Sequence, residues 1–149
     1  MQKKIISIPP NYFFACIFLN ISFYFIFKEF NLIKFPFNLS GILLIILGFY
    51  LIAKSYYIFK KNNTPEKYLP VNCLVKESLY KYSRNPMYLG GVIALIGIVI
   101  LISNIIAFIL PFLFFLIINF MFIPYEEQKM IEEVGAEYLE YKNKVRRWV

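Results

Sequence analysis

Histidine and aspartate are absent from this chain of 149 residues, and each absence removes a class of chemistry. No Ser-His-Asp or Cys-His nucleophile can be assembled, and no histidine-rich metal site. Cysteine is scarce. Cys16 and Cys73 form neither a CxxC pair nor a metal-ligand pattern, which reads as unpaired thiols in a reducing compartment. No metal is therefore expected. The glycines build no phosphate-cradling loop, so a soluble Rossmann-type nucleotide site is excluded. Acidic residues are also few, nine against sixteen lysines and arginines, for a net charge of +7.

What the chain does have is apolar surface. Sixty per cent of its residues are hydrophobic and 20% aromatic, well above a soluble composition. The runs reach the roughly 20 residues that a membrane helix needs. These features predict an all-α, polytopic membrane helical bundle of about four transmembrane helices, in a single domain over residues 1–149. The basic excess then reads as loops facing an anionic leaflet, and nucleic acid is not an expected partner. Lys3 and Lys4 before the first apolar stretch resemble the start of a signal peptide. No small-x-small cleavage site follows, so a retained span is expected.

The spans are expected at Tyr12 to Phe27, Leu39 to Phe59, Pro86 to Ile102 and Ile105 to Ile123. Lys60 to Arg84 is a long basic loop with Pro65 and Pro70, and Leu74-Val75 and Leu79-Tyr80 suggest that part of it rests on the membrane. Only Ser103 and Asn104 separate the last two spans, which makes them an antiparallel hairpin. Gly90, Ala94 and Gly97 offer close helix packing, and Gly41, Gly48 or Gly97 faces suit contacts within or between chains, which leaves the oligomeric state open. Pro111 is expected to kink the fourth span. The remainder, Tyr125 to Val149, patterns as a cytoplasmic amphipathic helix interrupted at Gly135, closing on a basic, aromatic membrane anchor of Lys142, Lys144, Arg146, Arg147 and Trp148. Nearly all cations fall on one side, with Lys28 and Lys34 on the other. The positive-inside rule places the long loop and both termini in the cytoplasm.

Two polar clusters then meet the membrane at the same face. Asn85-Pro86 reads as a helix start, with Asn at the N-cap and Pro at the first helical position. Such a start presents free N–H groups, and Arg84 adds a fork of donors for a carboxylate or hydroxyl. Tyr80, Tyr82 and Tyr88 flank it as interfacial aromatics, or as faces for an adenine or a cation. Glu126-Glu127 closes the hairpin, and carboxylates beside an apolar helix need partners. Glu132, Glu133, Glu137 and Glu140 read as a solvated helix face.

The order Leu74-Val75, Tyr80, Arg84-Asn85-Pro86-Met87-Tyr88-Leu89-Gly90, an apolar hairpin, Glu126-Glu127, then Gly135-Ala136-Glu137-Tyr138-Leu139-Glu140-Tyr141 resembles the isoprenylcysteine carboxyl methyltransferase and phospholipid methyltransferase superfamily. The resemblance covers Leu74 to Trp148, within a cofactor-site half of about residues 72–149. It implies an integral membrane enzyme that uses S-adenosyl-L-methionine to methylate a lipophilic acceptor among membrane lipids. It places cofactor contacts on Leu74, Val75, Tyr80, Asn85, Pro86, Met87, Tyr88, Glu126 and Glu127, with Arg84 and Tyr88 as positioning residues. The Asn-Pro-Met-Tyr form is shared with many bacterial relatives, which implies a bacterial cytoplasmic membrane. The prenylcysteine enzymes carry histidine where Asn85 stands and arginine where Phe122 stands, so the acceptor stays open. Two alternatives remain at this point. One is a membrane reductase of the NADPH-dependent sterol or enone type, which has a similar Arg-x-Pro-x-Tyr pattern. The other is a four-span transporter or assembly protein, although Glu29 is the only acid near the first two spans.

Overall fold

The computed structural model describes residues 9–27, 30, 33–62 and 74–149. Lys3, Lys4, Lys28, Glu29, Pro65, Lys67, Pro70 and Cys73 lie outside the described residues. The chain is an all-helical bundle: α1 (Pro9–Ile26), α2 (Ser40–Lys61), α3 (Pro86–Ile102), α4 (Ile109–Ile117), α5 (Ile123–Val134) and α6 (Ala136–Lys144). Three stretches, Pro9–Ile26, Phe37–Lys61 and Ile106–Val134, are long and apolar enough to cross a membrane, and α3 is a shorter apolar helix of 17 residues. At 1.5 Å per residue, α3 extends roughly 25 Å, close to a bilayer's hydrocarbon core. The membrane bundle expected from the sequence is what the chain forms.

The core sits around α3, which packs against α1, α2 and α4. Its contact with α2 is a glycine seam. Gly41 faces the carbonyl of Gly97, and Gly48 faces the carbonyl of Gly90, so the helices run antiparallel with backbones in direct contact. An added Cβ on Gly48 would lie 2.5 Å from the Gly90 oxygen and 2.6 Å from the Ala94 nitrogen. Lipid supplies no hydrophobic drive between helices, so close backbone approach and dispersion hold such a pair. The glycine faces are therefore spent within the chain.

The hairpin between α3 and α4 turns at Ser103, whose φ is 65°, and is sealed by Asn104. The Asn104 side-chain Oδ1 accepts from the backbone N–H groups of Ile106 at 3.1 Å and Ala107 at 3.3 Å, as a helix cap does. Its amide donates to the carbonyls of Phe23 at 3.3 Å and Phe27 at 2.9 Å, which ties the end of α1 to the hairpin. Asn20, fully buried in α1, returns its amide to the Cys16 carbonyl at 2.8 Å.

One local expectation is corrected. Pro111 does not mark the irregularity in the fourth span. It lies in the first turn of α4, directly after a 3-10 turn (Ile106–Phe108), where a missing N–H is tolerated. The irregularity falls instead at a π-helical turn, Ile118–Phe122, through which α4 runs on into α5. Gly135 does interrupt the last helical stretch, with φ of 67° between α5 and α6.

The seam sets an expected outcome. Gly48→Val or Gly97→Val should cost about 1–3 kcal/mol of stability through overpacking, read as a lowered unfolding midpoint in detergent. Gly91→Ala should cost less, because its added Cβ meets side-chain atoms rather than backbone, those of Phe114 at 3.3 Å and Phe13 at 3.7 Å.

Candidate functional site

The two polar clusters meet where α3 begins and α5 begins. Tyr88, in the first turns of α3, donates its hydroxyl to Glu126 Oε1 at 2.6 Å. Arg84, just before α3, places Nη2 3.2 Å from Glu127 Oε1. Tyr88 and Glu127 are buried, as is the Arg84 side chain, at 9% exposure.

Adjacent glutamates take different work because successive helical residues point about 100° apart. Glu126 faces Tyr88. Glu127 faces a ring of cations: Arg84, Lys142 at 2.9 Å from Oε2, and Arg147, whose Nε lies 3.2 Å from Oε1 and Nη2 3.3 Å from Oε2. The arginine contact is bidentate, the strong form of this pair. Arg84 spends Nη2 on Glu127, while its buried Nε and Nη1 meet no hydrogen-bond partner among the described residues.

The segment Val145–Trp148 completes the site, and here the structure departs from the expected surface anchor. Val145 is extended and turns the chain back along the approach to α3. The backbone N–H of Arg84 donates to the Arg146 carbonyl at 3.0 Å. Asn85 Nδ2 donates to the Arg147 carbonyl at 3.1 Å, and Ser83 Oγ to the same oxygen at 3.4 Å. Asn85 occupies the N-cap position, yet its side chain makes no capping bond; its amide nitrogen donates to this strap instead. Arg147 and Trp148 are partly buried, whereas Arg146 and Lys144 remain exposed. Sequence reasoning missed this strap because its partners are distant in the chain. It also missed Asn119, the lone polar residue in the fourth apolar run, whose placement in such a run is itself a signal.

The other expected residues form a flank. Val75 and Tyr80 are buried with Ile58 and Phe59, and the Phe59 and Tyr80 rings meet edge to face at 5.2 Å. The Tyr141 hydroxyl donates to the Tyr80 carbonyl at 2.7 Å, which binds α6 to this flank. Leu74 and Met87 are half-buried and Pro86 is buried in the first turn of α3. Tyr82 is 74% exposed, so the structure leaves it outside the cluster. Burial pushes the Tyr80 phenol above its ordinary range. Burial, and then the Glu127 carboxylate, push Tyr138 up, with Arg84 pulling the other way. Burial, and then Tyr138, push Tyr141 up to about 12.

A profile of the phospholipid methyltransferase family matches residues 37–137, from the glycine seam through both polar clusters. The chain belongs to the phospholipid methyltransferase family. The protein-S-isoprenylcysteine O-methyltransferase of Saccharomyces cerevisiae is 40% identical to it over 76 residues, which are 48% of this chain and 30% of the yeast protein. The chain thus spans less than a third of that relative. The family match takes in the Arg84–Tyr88 stretch and Glu126-Glu127, the groups that the fold brings into contact.

Three outcomes follow for this cluster. Glu127→Ala leaves Arg84 buried without its carboxylate and should cost about 3–5 kcal/mol, measured by thermal or denaturant unfolding. Lys142→Ala, at 35% side-chain exposure, should cost less than about 1 kcal/mol. Tyr141 titrates higher when folded, at about 12 against an ordinary 10.0. Its protonated phenol therefore contributes stability that is complete below the unfolded value and is lost as pH rises through the folded one. In Tyr141→Phe this part of the alkaline loss should disappear, while the orphaned Tyr80 carbonyl costs about 1–2 kcal/mol at neutral pH.

Proposed function

We propose that this membrane protein transfers a methyl group from S-adenosyl-L-methionine to a lipophilic acceptor at the cytoplasmic surface of its membrane. The observation that carries the reading is the union of the Arg84–Tyr88 stretch with Glu126-Glu127, through Tyr88–Glu126 and Arg84–Glu127. Family membership supports the chemistry, and the basic loops support the cytoplasmic side.

The residues fit such a cofactor. Arg84 holds two buried donors, Nε and Nη1, with no acceptor among the described residues, which suits a carboxylate. Glu126 offers a carboxylate for a ribose hydroxyl or an amino group, and the Tyr88 ring suits a cation or a base. Asn85, Pro86 and Met87 shape the start of α3, with Leu74, Val75 and Tyr80 as the apolar flank. Glu127 serves through the cations it holds in place.

When bound, the cofactor supplies a methyl group already activated by its sulfonium. The chain's own task is to hold donor and acceptor in line and to exclude water. No general base is required for a carboxylate or neutral amine acceptor, so the absence of histidine is no obstacle. Phe122 is buried against Tyr12, with ring centroids 5.5 Å apart, so this position presents no charge to an acceptor. The acceptor class is therefore stated only as lipophilic.

Titration of the purified protein with S-adenosylhomocysteine by calorimetry should show saturable binding, and its absence in a folded sample overturns the proposal. Glu126→Gln should weaken that binding about tenfold, the loss expected for one hydrogen bond to a charged group, with an unchanged unfolding midpoint. Labelled S-adenosylmethionine incubated with a membrane lipid extract identifies the acceptor.

A further inference from the structure

Asn119 is the sole polar residue between Ile105 and Ile123, and it stands on the π-helical turn Ile118–Phe122. A π-turn inserts an extra residue and disturbs the regular backbone bonding, so a carbonyl can accept from outside the helix. The Asn119 carbonyl does so, receiving Arg147 Nη1 at 3.4 Å. Its side-chain Oδ1 accepts from the same nitrogen at 3.4 Å and from the Trp148 indole N–H at 3.0 Å. The Trp148 ring rests on Phe115, with centroids 4.9 Å apart.

The other edge of the Arg147 guanidinium, Nε and Nη2, grips Glu127. Arg147 therefore spans two points on one helix, on either side of the end of the π-turn. Its own carbonyl receives the Asn85 amide, and the Arg146 carbonyl receives the Arg84 N–H. A continuous line of hydrogen bonds runs from Asn119 through the strap to Arg84 and Asn85. An amide in an apolar helix is unfavourable unless partnered, and Asn119 accepts three hydrogen bonds from this strap.

We propose that Asn119 is a positioning residue: by gripping Arg147 and Trp148 it sets the strap, and the strap's carbonyls aim Arg84 and Asn85 at the methyl-donor cofactor. The proposal rests on the functional reading above. Asn119 touches no reacting group in it and acts through Arg147.

Trp148 is the only tryptophan of the chain, so its fluorescence reports the strap directly. The test uses the full chain in detergent, as wild type, Asn119→Leu and Asn119→Asp. The leucine removes the side-chain acceptor, and the aspartate keeps an oxygen for both donors. Asn119→Leu should shift Trp148 emission to longer wavelength, make it more accessible to acrylamide, and weaken S-adenosylhomocysteine binding about tenfold, the order expected for losing a hydrogen bond to a charged donor. Asn119→Asp should restore both readouts toward wild type, whereas a purely structural role would shift the emission of Asn119→Leu and leave its affinity unchanged. Wild-type affinity in Asn119→Leu, with or without an emission shift, overturns the proposal, as does loss of affinity that Asn119→Asp fails to restore. Failure of the wild type itself to bind overturns the methyl-donor reading, a result distinct from binding that the leucine leaves intact.

Discussion

The Glu127 carboxylate is the point on which the polar end of this bundle depends. A buried carboxylate costs several kcal/mol unless opposite charge and hydrogen bonds surround it, and Glu127 draws its partners from three separate stretches. Arg84 comes from the approach to α3, Lys142 from α6 and Arg147 from the strap beyond it. Each would be mobile alone. Held on one carboxylate, they close the two halves of the family motif against each other and leave Glu126 to face Tyr88. The adjacent acids thus divide the labour, Glu127 as a bracket for three cations and Glu126 as the acceptor of the Tyr88 hydroxyl.

That junction is useful only if the helices beneath it keep their depth. The glycine seam between α2 and α3 provides this, because backbone-to-backbone contact at Gly41–Gly97 and Gly48–Gly90 leaves no slack for sliding. Asn104 closes the opposite end by joining the hairpin to α1. The apolar bundle acts as a rigid support, and the polar chemistry collects where α3, the π-turn and α5 converge. This division gathers the polar cluster without histidine, aspartate or a glycine-rich loop.

Much of the site was legible before any fold was known. Asn85-Pro86 marked the start of α3, and Ser103-Asn104 marked a tight hairpin. Those two boundaries alone require Glu126-Glu127 to return to the level of Arg84 and Tyr88. The sequence erred where a polar side chain chooses between a near partner and a far one. Asn85 does stand at the N-cap of α3, but its side chain makes no capping bond and its amide nitrogen donates to the Arg147 carbonyl. Arg147 and Trp148 pattern as an anchor because basic, aromatic stretches commonly lie on membranes, but Glu127, Asn119 and Phe115 claim them.

Hydrophobicity and punctuation by Pro, Asn and Gly are local or one-dimensional signals, so the sequence by itself determined the membrane bundle, the bounds of α3 and the meeting of the two polar clusters, whereas the fourth apolar run continues past Ile123 to Val134. The tertiary structure alone decided how the polar groups were shared out. It assigned Glu127 to three cations, Asn85 to the strap and Asn119 to Arg147 and Trp148, and it placed the helix irregularity at Ile118–Phe122 rather than at Pro111. The reason is physical. Apolar burial is non-directional and follows composition, whereas hydrogen bonds and ion pairs are directional and short, so their partners are set only once helices distant in sequence stand side by side.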